Sequence, residues 1–528
     1  MAPRVLVSDD LSADGIEIMR KEGLEVDVRT GLEPGALERI IPEYDALAVR
    51  SATKVSARLL EKATRLKVVG RAGVGIDNVD VDAATRRGVV VMNTPGGSST
   101  TVAELTLALM LSLARHVPQA TASVKAGKWE KKRFQGRELA GKTLGVVGIG
   151  NIGSIVVQRC HAMRMHVVAY DPFIGLEAAV RLGVTQVTLE QLWREADIIS
   201  LHLPLTEQTR NIVSAATIAK MKRGALLVNC ARGGLVDDRA VADALLSGQL
   251  GGAAFDVFEK EPPPPDHPLL ALDNFICTPH LGASTDEAQA AVAVAIADQL
   301  AAYLTRGEVR NAINLPSIPR EALDTVVPYL ELAEKLGSLA AQIAPPSIQE
   351  VHIELSGELS RAPHRALTAQ ALKGLLRHVL AQPVNEVSAP VIARERGLVV
   401  REELNPGARD YVSELTVQLR GSGGEATVAG TVFGKHELRI VQVNQFRLEA
   451  VPEGDIILCE NDDAPGVVGN IGTLLGGAGV NIARIFLSRD PERRSPFSLI
   501  NVDSAPTPEV LEKLRCLQHV RAVRQVKL

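Results

Sequence analysis

Short apolar runs alternate with segments of helical periodicity over residues 1–315. The first five runs occupy 4–8, 25–28, 46–50, 67–71 and 89–93. Strands that alternate with helices predict parallel βα units and a right-handed, doubly wound sheet. Since ligands of such sheets bind beyond the carboxyl ends of the strands, the polar residues that follow each run are candidate binding residues.

A second series of apolar runs predicts another sheet of the same kind, with members at 142–147, 166–170, 197–203, 224–230, 252–257 and 275–280. Between the two series, residues 98–113 are too apolar for a surface helix and predict a buried helix that joins two domains. A helical pattern over 285–304 returns the chain to the first domain. We therefore expect a discontinuous domain, 1–97 and 285–316, around a second domain of 98–284.

The remainder of the chain predicts two further domains. Residues 317–453 mix helical and strand patterns irregularly. Residues 454–528 give strand, helix, strand, strand, helix and strand, the order of a ferredoxin-like sandwich. The predicted fold class is therefore α/β, with two doubly wound Rossmann-like domains followed by a mixed α/β domain and a ferredoxin-like βαββαβ domain.

A Gly-x-Gly-x-x-Gly turn follows the first run of the second series and leads into a predicted helix over 154–163. Gly148 permits the tight turn, Gly150 lets the backbone approach a pyrophosphate, and Gly153 allows close helix–strand packing. The next run ends in Asp171, 18 residues after Gly153. An acid at this distance accepts hydrogen bonds from the ribose hydroxyls and repels a 2′-phosphate, so the pattern favours NAD over NADP. The alternative is an ordinary glycine-rich turn with a surface aspartate.

Composition narrows the partners and the compartment. A formal net charge of −4 leaves no basic field for nucleic acid or an anionic membrane. No run approaches the roughly 20 apolar residues that span a bilayer, and the first strand begins too early for a signal peptide. The five cysteines lack metal-ligand spacing, and we expect buried apolar residues rather than disulfides or a metal site. Together these features predict a soluble, cytosolic protein.

Three residues near predicted strand ends suit the oxidation of a 2-hydroxy acid. That reaction needs a cation for the carboxylate, a base for the hydroxyl proton and a group that orients the base. Arg232 can bind a carboxylate with both prongs of its guanidinium. His280 can take the proton, and Glu261 can hold the imidazole and stabilise its charged form. Each residue alone is equally consistent with an exposed arginine, a capping glutamate or a core histidine.

Further cations are available for an anionic substrate. Arg50 and Arg71 each follow a predicted strand, where guanidinium groups suit carboxylate and phosphate. They could equally be solvated surface arginines. The basic and aromatic segment 128–134, which contains Arg133, is either a solvated loop or a source of positive charge for an active site of its own or a neighbouring subunit.

Four segments together, 148–153, 228–237, 256–262 and 278–285, resemble the D-isomer-specific 2-hydroxyacid dehydrogenases, and residues 1–315 match that family in motif order. Segments 49–55 and 70–80 are similar to the branch that oxidises 3-phospho-D-glycerate in the first step of phosphorylated serine synthesis. The carboxyl extension resembles the long form of that branch, with an intervening domain, 317–453, and an ACT domain, 454–528. Segment 94–101 departs from the family pattern because it is unusually rich in glycine, serine and threonine.

The resemblance implies Arg232, Glu261 and His280 as catalytic residues, with His280 as the acid and base. NAD contacts are implied for Val74, Gly148, Gly150, Asn151, Ile152, Gly153, Asp171, Pro204, Cys230, Ala231, Arg232, Asp256, His280, Leu281, Gly282 and Ala283. Substrate contacts are implied for Arg50, Arg71, Arg133 and Arg232. An L-serine effector site is implied at Asn461, Asp463 and Asn481. We also expect a homo-oligomer, a dimer or a tetramer.

Two alternatives to this function remain open from the sequence. Within the family, the chain could be a glyoxylate or hydroxypyruvate reductase, or another D-2-hydroxyacid dehydrogenase. In a different class, it could be a regulatory protein that senses NAD and binds other proteins. The two arginines at strand ends argue against the first alternative, and the catalytic triad of arginine, glutamate and histidine argues against the second.

Overall fold

A computed structural model describes residues 2–316, 318, 322–345, 347–380, 384–407, 410–489 and 496–528. The predicted domain boundary at residue 317 lies outside the described residues. The first sheet has five parallel strands in the order β2-β1-β3-β4-β5. Its strands are β1 (Arg4–Val7), β2 (Glu25–Val28), β3 (Ala46–Val49), β4 (Val68–Arg71) and β5 (Val90–Met92). Its helices are α1 (Ala13–Lys21), α2 (Pro34–Ile40), α3 (Ala57–Lys62) and α4 (Val81–Arg86).

The second sheet has seven parallel strands in the order β12-β11-β10-β9-β6-β7-β8. The strands are β6 (Thr143–Val147), β7 (His166–Tyr170), β8 (Thr185–Gln186), β9 (Ile198–Leu201), β10 (Ala225–Asn229), β11 (Leu250–Phe255) and β12 (Phe275–Cys277). The helices are α5 (Ser99–Arg115), α6 (Val117–Lys125), α7 (Asn151–Ala162), α8 (Leu176–Leu182), α9 (Leu189–Glu195), α10 (Ala215–Ile218) and α11 (Asp238–Ser247). Strand order reverses at β6, so a crevice opens there beyond the carboxyl ends of the strands.

Helix α12 (Asp286–Arg306) carries the chain back onto the first sheet. Gly70 of β4 lets the helix lie close, because an added Cβ would come within 2.9 Å of Ile296. Of the helices that the structure describes, α12 is the one that is long and apolar enough to cross a membrane, whereas the sequence predicted no such segment. However, 50% of its most apolar window is buried inside the protein. Its buried side chains share one core with β1 and β3, so the apolar composition follows from packing.

The third domain is a six-stranded sheet in the order β14-β13-β15-β16-β17-β18, covered by two long helices. Its helices are α13 (Leu323–Ile343), α14 (His364–Val379) and α15 (Ala389–Glu395). Its strands are β13 (Ile348–Gly357), β14 (Val399–Asn405), β15 (Ser413–Gly421), β16 (Gly424–Phe433), β17 (Glu437–Val443) and β18 (Phe446–Ala450). β13 and β14 are parallel, and the other neighbouring strands are antiparallel.

The last domain is an antiparallel sheet in the order β20-β21-β19-β22 with two helices. Its elements are β19 (Asp455–Asn461), α16 (Val467–Gly477), β20 (Ile482–Arg489), β21 (Pro496–Val502), α17 (Pro508–Arg515) and β22 (Val520–Lys527). The helices bury one face of the sheet, and the other face joins the core of the third domain. Stacking of Phe446 on Phe497, with centroids 4.8 Å apart, marks that junction. The α/β fold class and the βαββαβ order are confirmed.

All five cysteines are free thiols. Cys160, Cys230 and Cys459 are buried, and burial raises the pKa of the Cys160 and Cys230 thiols to about 12. Cys277 and Cys516 are exposed, so the expectation of burial was wrong for these two. β12, which ends at Cys277, is an edge strand, and Cys516 directly follows α17, so neither thiol is enclosed on all sides.

Candidate active site

The glycine-rich turn after β6 forms an open cradle. Gly148 has a φ of +95°, and an added Cβ there would lie 2.5 Å from the carbonyl oxygen of His202. A Cβ at Gly153 would overlap the carbonyl of Gly148. Over Gly150, by contrast, no atom of the described residues lies within 4 Å of an added Cβ. The backbone N–H groups at the start of α7 can therefore reach an anion, and the cradle fits the pyrophosphate of a dinucleotide.

Asp171 lies at the carboxyl end of β7, beside the cradle. One carboxylate oxygen accepts a hydrogen bond from the backbone N–H of Ile149 at 2.7 Å, and the other from that of Phe173 at 2.8 Å. The turn therefore fixes the carboxylate, whose remaining lone pairs can accept from ribose hydroxyls. This arrangement suits NAD and disfavours the additional phosphate of NADP.

Asp256 follows β11 and is buried, and burial raises the pKa of its carboxyl. Its oxygens accept hydrogen bonds from the hydroxyl of Thr278 at 2.6 Å and from the backbone N–H groups of Leu281 at 2.7 Å and Gly282 at 2.9 Å. Sequence reasoning treated Asp256 only as a cofactor contact. The structure gives it a second role, since it shapes the turn that presents His280.

His280 and Glu261 meet although neither belongs to a strand or helix. Nδ1 of His280 lies 2.7 Å from Oε2 of Glu261, and Oε1 of Glu261 accepts from the backbone N–H of Phe258 at 3.0 Å. His280 has a φ of +54°, a conformation that non-glycine residues rarely adopt, and its N–H donates to the carbonyl of Asp256. The surrounding hydrogen bonds hold the imidazole in an orientation set by the carboxylate.

Arg232 lies in the loop after β10 and reaches across to the first domain. Its Nε donates to Oδ2 of Asp77 at 3.0 Å, and its Nη1 donates to the carbonyl of Ala231 at 2.7 Å. The loop itself is held by Asn229, whose side-chain amide donates to the carbonyl of Arg232. Sequence reasoning missed Asp77, although the acid lies within the segment 70–80 that carried the family resemblance.

Arg71 and Arg50 follow adjacent strands at the same edge. Arg71 is half-buried, and its Nε has no hydrogen-bond partner within the part of the chain that the structure describes. Burial, reinforced by repulsion from Arg232, lowers the pKa of the Arg71 guanidinium. Asp9, which sequence reasoning missed, accepts from the backbone N–H groups of Arg50 at 2.6 Å and Thr53 at 3.0 Å. A half-buried guanidinium with an N–H group that has no acceptor is a candidate ligand for an anion.

Arg133 does not join this cluster in its own chain. Its guanidinium pairs with Asp273 at 3.1 Å and with Glu130 at 3.5 Å. Asp273 precedes β12, whereas His280 follows that strand, so Arg133 lies toward the opposite end of β12. Arg133 is therefore paired with acids of its own chain and is not grouped with Arg232 and His280, and its contact with a substrate, in its own or a neighbouring subunit, stays a prediction.

Two other candidate cofactor contacts, Val74 and Pro204, have backbone carbonyls that already accept hydrogen bonds. The carbonyl of Val74 accepts from the side-chain amide of Asn93 at 2.6 Å, and that of Pro204 accepts from the hydroxyl of Thr209 at 2.7 Å. Both residues follow strands, Val74 after β4 and Pro204 after β9. Their backbones are thereby held at the strand ends, where a dinucleotide would pass.

The effector candidates lie at two different ends of the last sheet, because β19 and β20 both pair antiparallel with β21 and so run in the same direction. Asn461 ends β19 and is buried, its amide donates to the carbonyl of Asp462, and its Oδ1 has no hydrogen-bond partner among the described residues. Asp463 follows in the turn before α16. Asn481 precedes β20 and donates to Oδ2 of Asp503 at 2.6 Å.

Three family models match successive parts of the chain. Residues 107–282 match the D-isomer specific 2-hydroxyacid dehydrogenase NAD binding domain. Residues 325–444 match the D-3-phosphoglycerate dehydrogenase intervening domain, and residues 456–515 match the ACT domain.

Relatives align along nearly the whole length of the chain. A D-3-phosphoglycerate dehydrogenase of Archaeoglobus fulgidus is 44% identical over 527 residues, 99% of this chain and 100% of the relative. One from Bacillus subtilis is 38% identical over 530 residues, 99% of each chain. Among solved structures, the NAD⁺-bound 3-phosphoglycerate dehydrogenase of Entamoeba histolytica is similar, with a TM-score of 0.51 and 29% identity, covering 60% of this chain and 99% of its own.

Proposed function

This chain belongs to the D-3-phosphoglycerate dehydrogenases of the D-isomer-specific 2-hydroxyacid dehydrogenase family, and we propose that it oxidises 3-phospho-D-glycerate to 3-phosphooxypyruvate with NAD. This is the reaction that opens phosphorylated L-serine biosynthesis. The observation that carries the proposal is the pair of His280 and Glu261, held at 2.7 Å at the edge that also carries Arg232. A proton acceptor, its orienting carboxylate and a carboxylate-binding cation are the groups that this oxidation needs.

Residues of the chain itself accept the hydroxyl proton of the substrate and stabilise its negative charge. Glu261 accepts the Nδ1 proton of His280, so Nε2 is the nitrogen that removes the proton from the 2-hydroxyl group. Arg232 binds the substrate's carboxylate and stabilises the charge that develops on the oxygen. NAD, when bound by the cradle and Asp171, would accept the hydride that leaves C2 of the substrate. In the reverse direction His280 returns its proton to the carbonyl oxygen.

Recognition of the phosphate is assigned to the arginines at the end of the first sheet. Arg71 supports this assignment because it is half-buried with a hydrogen-bond donor that no described residue satisfies. Arg50 lies on the adjacent strand end and is held by Asp9. An unphosphorylated 2-hydroxy acid has no group that would need this second and third guanidinium, which disfavours a glyoxylate or hydroxypyruvate reductase.

The test is a comparison of initial rates with 3-phospho-D-glycerate and with D-glycerate, followed by NADH absorbance. We expect strong preference for the phosphorylated acid, and Arg71→Ala should lower kcat/KM for it by about 10²-fold while changing the rate with D-glycerate little. Arg58→Ala is the matched control, since Arg58 is exposed and paired with Glu38. Equal rates with both acids would favour the reductase alternative. Absence of any reaction would favour a regulatory NAD-binding protein.

For the last domain we propose regulation by L-serine, with Asn461 and Asp463 at one end of the sheet and Asn481 at the other end as the candidate contacts. The match of residues 456–515 to the ACT domain supports a small-molecule effector. The buried Oδ1 of Asn461, to which no described residue donates a hydrogen bond, supports a polar ligand, because such an oxygen is costly to leave unsatisfied. We further propose a homo-oligomer, because exposed sheet edges such as β20 and β22 are stabilised by pairing with another copy.

A cytosolic location is likewise proposed, supported by the five free cysteines.

A further inference from the structure

An ion pair joins the two domains across the proposed active site. Asp77 belongs to the loop after β4 in the first domain, and Arg232 belongs to the loop after β10 in the second. Oδ2 of Asp77 lies 3.0 Å from Nε of Arg232, although the residues are 155 positions apart in the chain. The contact is therefore a product of how the two sheets face each other.

The guanidinium of Arg232 is held on both flanks. Asp77 takes the Nε–H, and the carbonyl of Ala231 takes a proton of Nη1 at 2.7 Å. Nη2 lies against the backbone of Gly75, where an added Cβ would overlap it. Since Nε is occupied, the edge formed by Nη1 and Nη2 is the fork left for a carboxylate.

Asp77 also lies within a field of positive charge. Arg232 and Arg50 repel the guanidinium of Arg71, and Asp77 and Asp9 offset this repulsion. The side chain of Asp77 is 66% exposed and that of Arg232 29%. A pair with this exposure contributes little to folding stability, so its effect is expected in the orientation of the guanidinium.

We infer that Asp77 is a positioning residue for the reaction, which holds Arg232 from the opposite domain and leaves its Nη1/Nη2 edge toward the substrate's carboxylate. The inference rests on the proposed function of Arg232 as the carboxylate-binding group. It gives Asp77 no contact with the reacting atoms. Without Asp77, Arg232 would keep its charge and lose its fixed direction, because only its own loop would still hold it.

Steady-state kinetics of the full chain test the inference with three variants. Asp77→Ala should raise KM for 3-phospho-D-glycerate about 10-fold and lower kcat by a similar factor, because a misdirected fork weakens both binding and the transition state. Asp77→Asn should recover most of this loss, since its amide oxygen can still accept from Nε. The Kd of NAD and the melting temperature should not change. Asp82→Ala, an exposed acid on α4, is the control.

A double-mutant cycle shows whether Asp77 acts through Arg232. In an Arg232→Lys background, which lacks the Nε donor, Asp77→Ala should cause less than about a 2-fold further change in kcat/KM. An undiminished effect in that background would overturn the inference, as would an unchanged or lower KM for Asp77→Ala alone. If Arg232→Lys itself keeps the wild-type kcat/KM, the proposed role of Arg232 fails and the inference fails with it. Loss in Arg232→Lys with no effect of Asp77→Ala rejects the inference alone.

Discussion

Nδ1 of His280 lies 2.7 Å from Oε2 of Glu261, and the second oxygen of that carboxylate is held by the backbone N–H of Phe258. The carboxylate is therefore fixed before substrate arrives, and it fixes the tautomer of the imidazole in turn. This relationship separates the two residues in function, because His280 exchanges the proton and Glu261 sets its direction.

Glu261→Gln should lower kcat by about 10-fold to 10²-fold with a smaller effect on the Kd of NAD, because an amide can still contact Nδ1 but no longer stabilises a charged imidazole. Stopped-flow measurement of NADH formation checks this. Glu259→Gln is the matched control, since Glu259 lies two residues away and is paired with Arg210 at 2.9 Å instead. An equal loss in both variants would contradict a specific role for Glu261.

His280→Ala should lose about 10²-fold to 10⁴-fold in turnover, the usual contribution of a positioned acid and base, and keep its affinity for NAD within a few fold. Turnover and NAD titration by fluorescence are the measurements. His166→Ala is the control, because His166 is exposed at the opposite end of a strand, the start of β7. Near wild-type turnover in His280→Ala would show that another group moves the proton.

Asp171→Ala should weaken NAD and raise kcat/KM for NADP relative to NAD by about 10-fold or more, because the ribose acceptor and its negative charge are lost together. The variant also frees the N–H groups of Ile149 and Phe173, so part of the weakening comes from the turn. Glu177→Ala on α8 is an exposed control. An unchanged ratio of the two cofactors would mean that Asp171 does not select NAD.

His202 makes the second domain sensitive to acid. It shares a hydrogen bond with Ser200 at 2.9 Å, and burial lowers the pKa of its imidazole from 6.5 to about 4. Because the folded pKa is the lower one, the unfolded chain takes up the proton first as pH falls below 6.5. Stability is therefore unaffected at pH 7 and should be about 2 kcal/mol lower at pH 5, with the loss complete below pH 4.

Urea unfolding at pH 7 and pH 5 measures this loss. Both tryptophans, Trp129 and Trp193, lie in the second domain, and Trp193 is buried, so their fluorescence follows this domain alone. His202→Gln should reduce the difference between the two pH values, whereas His166→Gln, at an exposed site, should leave it unchanged. The same difference in all three proteins would contradict the assignment.

In the last domain, Asp463→Ala or Asn481→Ala in the full chain should abolish L-serine binding by calorimetry and leave dehydrogenase activity intact. Serine can change activity only if its affinity differs between active and inactive arrangements, so binding and inhibition should be lost together. Glu512→Gln on α17, where Glu512 pairs with Arg515 at 3.0 Å, is the control. Absence of serine binding to the unaltered protein would refute the effector site.

The sequence by itself determined the local elements and the order of the domains. Alternation of apolar runs with helical patterns is a property of neighbouring residues, so β2 and β7 occur at the predicted bounds. The helix after the cradle begins at Asn151, three residues before the prediction, because the open turn already has helical geometry after Gly150. The spacing of Asp171 from Gly153 could be interpreted from the sequence for the same reason, since the unit of strand, turn and helix has a nearly constant length.

The tertiary structure alone decided which distant groups meet. Asp77 reaches Arg232, and Asp256 shapes the turn of His280, because separate parallel strands end at a common edge. Arg133 instead pairs with Asp273, which precedes β12. The sequence pattern reports which face of an element is apolar, whereas crossovers and sheet order determine which ends lie together, and these depend on packing summed over the whole core.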